Sequence, residues 1–197
     1  MPLELWLALA AYVVVTTITP GPNNTLLLAS GLRHGLRRSW PHLMGVNFGF
    51  ATLMLGTGLG LGALLTQIPA LHTGLKITGA GYLLWLAWGI ARSGPPDGEG
   101  RDAARIGFVK AAVFQWLNPK AWIMALGAVS TYLPPGDFWL ALAIGIATFS
   151  VLGLPCNITW VVAGSIRRGF RSRPQALRAF NIAMAAALAA SVVTGVR

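Results

Sequence analysis

Apolar runs long enough to cross a bilayer follow one another along almost the whole chain, separated by short polar stretches. A spanning helix needs about 20 mostly apolar residues. Six segments meet that length, covering about Leu3–Ser30, Trp40–Leu65, Pro69–Ala91, Ile106–Leu133, Phe138–Ile166 and Gln175–Val196. The stretch Arg92–Arg105, built around Gly94-Pro95-Pro96-Asp97-Gly98-Glu99-Gly100, is the strongest linker signal in the chain. It divides the sequence into 1–91, a linker at 92–105, and 106–197, with three spans in each half. The pattern predicts an all-α integral membrane protein of six transmembrane helices.

Two of the six runs are interrupted. The first breaks at Thr19-Pro20-Gly21-Pro22 and the fourth at Asn118-Pro119-Lys120, so each half opens with a broken helix. An odd number of spans per half turns the second copy upside down relative to the first. Two inverted three-helix repeats with broken first and fourth helices are therefore expected, with a site where the repeats meet near the bilayer midplane. Prolines alone are common in membrane helices and can merely kink them; two at matching places in two halves favour a transport site.

Composition supports lipid as the solvent. Of 197 residues 55% are hydrophobic and 10% charged, against about 25% charged in soluble domains, and mean hydropathy is +0.63. Fifteen basic residues against five acidic ones give a net charge of +10. The basic residues sit in short loops rather than along an extended face, which argues against nucleic acid as the partner. Twelve of them collect on one side: Arg33, Arg37 and Arg38; Arg92, Arg101, Arg105 and Lys110; Arg167, Arg168, Arg171, Arg173 and Arg178. The loops Gln67–His72 and Pro134–Asp137 hold none. The positive-inside rule places the rich face in the cytoplasm and both termini outside. The lone Cys156 excludes an intrachain disulfide. The N-terminal run carries Glu4 and no Lys or Arg before its apolar stretch, so it reads as a retained span rather than a signal peptide.

The breaks carry the candidate chemistry. Pro20 and Pro22 lack N–H groups and leave carbonyls near Val15–Ile18 without helical partners. Such groups must be buried in protein or line a wet cavity. Gly21 is expected to free the backbone to bend. Asn23 and Asn24 are expected to cap the second half-helix, whose N-terminus suits a carboxylate. The carbonyl end of the first half-helix would then accept an ammonium group. Lys120 lies about 21 Å along its helix from Ile106, deep in a core about 30 Å thick. An intramembrane charge is a functional hypothesis by default, although a long stem can also snorkel to the interface. Lys76, nearer its span's end, suits snorkelling.

Asn47, Gln115, Asn157 and Asn181 are softer candidates, since each amide can simply bond a neighbouring helix. Gly45, Gly49, Gly56, Gly58, Gly60 and Gly62 make the second span a close-packing face for the chain itself, for a homodimer or for a sliding contact. Trp85, Trp88, Trp116, Trp122 and Trp160 suit interface anchors or a substrate cage equally.

Several runs together carry a family resemblance: Thr19-Pro20-Gly21-Pro22-Asn23-Asn24, Gly45-Val46-Asn47-Phe48-Gly49-Phe50, and the stretch from Leu75 to Trp88. Phe114-Gln115-Trp116-Leu117-Asn118-Pro119-Lys120-Ala121 and the closing Phe180-Asn181 complete the set. The chain resembles the LysE/RhtB-type amino-acid exporters, small bacterial inner-membrane proteins of this length. The resemblance implies export of amino acids or derivatives by proton antiport. The breaks and the amides near them make Thr19, Pro20, Gly21, Pro22, Asn23, Asn24, Asn47, Gln115, Asn118, Pro119 and Lys120 the candidate substrate-binding residues, and no cofactor is expected. Many relatives carry an acidic residue in span two where this chain has Asn47-Phe48-Gly49. Without a carboxylate there, Lys120 becomes the candidate carrier of the coupled proton. Nothing fixed would neutralise a second positive charge on the substrate, so a small neutral amino acid or close analogue is expected.

Two other classes compete. An intramembrane enzyme needs a nucleophile with a base or a metal site. His34, His42 and His72 all fall at span ends with no acidic companion, so neither catalysis nor metal binding is expected. A passive channel would build its filter from rings of groups contributed by several subunits.

Overall fold

A computed structural model describes residues 1–61, 67–92, 106–134 and 136–166, with 175, 178–179 and 182–186 of the last segment. Residues 93–105 of the linker, Arg167, Arg168, Arg171, Arg173, Asn181 and most of the sixth expected span lie outside the described residues, as do the side chains of His72 and Lys76. Every regular element among the described residues is helical: α1 (Leu3–Ile18), α2 (Pro22–Gly56), a π-helical turn (Thr57–Leu61), α3 (Pro69–Ala91), α4 (Phe108–Leu117), α5 (Pro119–Tyr132) and α6 (Phe138–Ile166).

Both expected interruptions are present. α1 stops at Ile18 and α2 starts at Pro22; α4 stops at Leu117 and α5 starts at Pro119. Each new helix begins on a proline, whose missing N–H costs nothing in a first turn where N–H groups lack helical partners anyway. The expected loop between the first two spans contracts to a corner at Gly35, inside an otherwise continuous helical run. Its φ of 73° and ψ of 174° fall in a region essentially reserved for glycine. Ser39 Oγ donates to the Gly35 carbonyl at 2.8 Å, and Ser30 Oγ donates to Ser39 Oγ at 2.9 Å, which pins the corner from both arms. Beyond it His42, expected at a span end, is buried at 1% exposure.

α2 runs through the centre, packed most extensively on α6 and then on α4. One core joins α1, α2, α5 and α6 through Leu9, Val13, Phe50, Leu53, Trp122, Leu142 and Phe149. A second joins α2, α4 and α6 through Leu27, Leu43, Val46, Ala111 and Val161. Missing Cβ atoms bring the backbones together. A methyl on Gly31 would strike the Val161 carbonyl and one on Gly164 the Leu28 carbonyl, so α2 and α6 touch main chain to main chain. Gly45 and Gly49 sit as closely against the carbonyls of Phe108 and Ala112. That part of the glycine face of span two is therefore spent inside the chain, on α4, and is closed to a second copy.

The outside is apolar. Leu7, Val15, Ile123, Trp139, Leu140 and Val151 are all more than half exposed, a belt too broad for a water-facing surface. Pro22–Leu61 and Phe138–Ile166 are each long and apolar enough to cross a bilayer. Trp85 and Trp88 near the end of α3 are exposed, and the Arg92 guanidinium lies 4.1 Å above the Trp88 ring. An aromatic anchor beside a cation is the arrangement a headgroup layer favours.

Candidate functional site

The first break leaves several carbonyls to satisfy, and side chains do most of it. Val15 O takes the backbone N–H of Thr19 at 3.1 Å and its hydroxyl at 2.5 Å. Asn24 Nδ2 donates to both Thr17 O at 2.9 Å and Thr19 O at 2.8 Å. The Lys120 ammonium crosses from the other break and donates to Thr19 O at 2.5 Å and Pro20 O at 3.4 Å. The C-terminal end of α1, the negative end of its dipole, thus carries a fixed cation.

The second break closes on itself. Asn118 alone is non-helical, and its Oδ1 accepts the Lys120 N–H at 3.1 Å as a helix cap. Its carbonyl accepts Ala121 N–H at 3.0 Å, and its own N–H reaches Gln115 O at 3.3 Å. The Trp122 indole donates to Trp116 O at 2.7 Å, with the two rings edge to face at 5.9 Å.

Between the breaks lies a cavity of about 50 Å³, several times the 10–15 Å³ or so that one water needs. Its polar side is formed by Gly21, Asn23, Asn24, Asn47, Gln115, Asn118, Lys120 and Asn157, with the hydroxyl residues Thr16 and Thr17. Val46, Phe50, Met124 and Phe149 form the apolar side, with the Phe50 and Phe149 rings 4.6 Å apart. Gln115 Nε2 donates to Asn23 Oδ1 at 3.2 Å, linking the two half-chains across the site. Among the described lining residues there is no carboxylate.

The profile of the LysE type translocators matches residues 14–196. The cysteine/O-acetylserine efflux protein of Escherichia coli K12 is 35% identical over 177 residues, 88% of each chain. Its counterpart in Shigella flexneri serotype 5b is equally similar, and that of Escherichia coli O1:K1 is 34% identical over the same length. This chain is a member of the LysE type translocator family. No solved structure matches it significantly. Family and relatives make it a transporter, not an enzyme.

Of the translocator residues singled out from sequence, Gly21, Asn23, Asn24, Asn47, Gln115, Asn118 and Lys120 line the cavity. Thr19, Pro20, Pro22 and Pro119 stand behind them as the backbone of the breaks. Three expectations need correction. Asn23 and Asn24 do not cap α2; Gly21 is its N-cap residue, with no side-chain hydrogen bond. Asn24 instead feeds its amide backward to α1, because two carbonyls there have no helical donor. Gly21 is not a flexible joint either, since its φ of −176° and ψ of 178° suit any residue. It is small because a Cβ would lie 2.8 Å from Lys120 Cδ. Third, the carbonyl pole expected to receive a substrate ammonium is taken by Lys120. The aromatic wall and Gly153 escaped the sequence reading, and Asn157 was only one amide among several. Pro155, within α6 and between Gly153 and Asn157, was the available signal: a proline placed inside the fifth expected span.

Proposed function

We propose that this translocator exports small neutral amino acids or close analogues across the bacterial inner membrane in exchange for protons. The observation that carries the reading is the cavity between the two breaks, with Lys120 reaching from one to the other. Lys120 and the N-terminus of α2 supply positive charge and free N–H groups for a carboxylate. Phe50, Met124 and Phe149 leave an apolar wall for a short side chain. With no carboxylate among the described lining residues, a second positive charge on the substrate would enter uncompensated, at a cost of several kcal/mol. Relatives named for efflux of cysteine and O-acetylserine, both small and carrying no net charge near neutral pH, point the same way. Thr19 and Pro20 are exposed, and backbone carbonyls at membrane depth are tolerated only where they meet protein or water. This supports a wet passage reaching the first break.

Two inverted three-helix repeats, 1–91 and 106–197 joined by the linker 92–105, account for the paired breaks. The arginine-rich loops support placing both termini outside, and a homodimer would have to use a face other than the glycine contacts to α4. Lys120 is the candidate proton carrier. Counterflow in proteoliposomes tests the whole reading. Unlabelled internal O-acetylserine should accelerate entry of labelled O-acetylserine, and an imposed pH gradient should drive its uphill movement. A passive channel shows no such acceleration. Preferential export of lysine or arginine over neutral amino acids would remove the substrate assignment.

A further inference from the structure

We propose that Asn157 is the residue that recognises the substrate's ammonium group. The inference rests on the amino-acid export just proposed and assigns one pole of that substrate to one atom. Asn157 lies on α6, 6% exposed, and lines the cavity. Its Oδ1 is buried and has no hydrogen-bond partner, and among the described lining residues it is the one whose polar atom is left so. A buried amide oxygen without a donor costs free energy in the empty state, and a charged donor recovers it with interest.

The neighbours explain why the ammonium goes there. In a broken membrane helix the free carbonyl end is the natural seat for a cation. Here that seat is filled by Lys120 at Thr19 O and Pro20 O. Asn23 Oδ1 already accepts from Gln115, and Asn118 Oδ1 from the Lys120 N–H. A zwitterion drawn in by Lys120 through its carboxylate must place its positive end on another acceptor. Asn157 Oδ1 is buried and vacant, and Asn157 lines the same cavity. Because that acceptor is a neutral amide, the site takes one ammonium without favouring a second cationic group.

The test compares labelled O-acetylserine counterflow with its inhibition by two competitors, O-acetylserine itself and 3-acetoxypropanoate, which lacks only the amino group. The wild-type protein should prefer the amino compound by about tenfold or more, the worth of one charge-assisted hydrogen bond. Asn157→Leu keeps the branched four-atom side chain and removes the acceptor, so the preference should fall toward one with the affinity for 3-acetoxypropanoate little changed. Asn157→Ser returns a smaller acceptor and should restore part of the preference, which also guards against a leucine variant that fails to fold. If both competitors weaken equally in Asn157→Leu and Asn157→Ser, Asn157 acts on the structure and the inference is overturned. A wild-type preference near one overturns it directly. Failure of the export reading looks different: wild-type proteoliposomes then show no O-acetylserine counterflow whatever stands at 157, and the inference falls with it.

Discussion

The two broken helices meet the same physical problem in opposite ways. At the second, one residue leaves the helical path and nearly everything it exposes is repaired within α4 and α5, by Asn118 and the Trp122 indole. At the first, three residues from Thr19 to Gly21 separate the helices, and the carbonyls of Thr17, Thr19 and Pro20 depend on the side chains of Asn24 and Lys120. One break is a closed turn; the other is completed by a group belonging to its counterpart. A movement that withdraws Lys120 would uncover the first break and leave the second intact. That asymmetry makes the first break, at Thr19–Gly21, the one that depends on a partner, even though the charge resides on the other helix.

Replacing Lys120 by Met should have the largest effect. It removes two charge-assisted hydrogen bonds and the cavity's positive charge, and export should fall by about 100-fold or more, with membrane insertion retained. Unchanged export would refute the assigned role. Lys120→Arg sharpens the point, because a guanidinium can still reach carbonyls and carboxylates but does not release its proton. Counterflow should survive in that variant while uphill movement driven by a pH gradient is lost.

Asn24→Leu comes next. Asn24 is 4% exposed, and its loss leaves Thr17 O unsatisfied and Thr19 O with Lys120 alone. Stability should drop by about 1–3 kcal/mol, measured by unfolding in detergent. A drop no larger than that from an exposed α6 substitution such as Val151→Ala would show that the first break does not depend on the amide.

The breaks were legible in the sequence because proline announces lost hydrogen bonds wherever it falls. Lys120 was legible because a charge inside an apolar run has few explanations. What those residues do was not. Asn24 follows Pro22 as a cap residue would, and only the geometry shows its amide turned back to α1. Gly21 between two prolines looks like a joint until Lys120 is seen 2.8 Å from where its Cβ would be. Such facts depend on pairs of residues 101 and 99 positions apart, as Thr19 and Gly21 are from Lys120, and a local pattern cannot carry them. The aromatic wall was hidden for another reason: Phe50 and Phe149 are indistinguishable by periodicity from lipid-facing phenylalanines in an apolar span. The corner at Gly35 was missed because three nearby arginines suggested a loop, when a single glycine suffices to turn the helix.

Gly21→Ala separates room from flexibility. Its extended backbone tolerates alanine, so stability should change by no more than about 0.5 kcal/mol. The new methyl must push the Lys120 stem aside, and export should fall by roughly tenfold, about 1.4 kcal/mol. In a Lys120→Ala background, where the stem is gone, the same substitution should cost nothing further, the non-additivity expected of side chains in contact. Equal losses in both backgrounds would return Gly21 to the role of a joint.

The smallest effect should come from Asn118. Asn118→Ala removes the cap on the Lys120 N–H and should cost about 1 kcal/mol of stability, while Asn118→Ser keeps a capping oxygen and should cost only a fraction of that. Export should fall little in either, because the Ala121 N–H bond to the Asn118 carbonyl and the Trp122 bond to Trp116 O do not involve the side chain. If Asn118→Ala instead abolished export as Lys120→Met does, the second break would not be self-contained. Lys120 would then be positioned by the cap rather than drawn by the carbonyls of the first break, and the dependence between the two helices would run in the opposite direction.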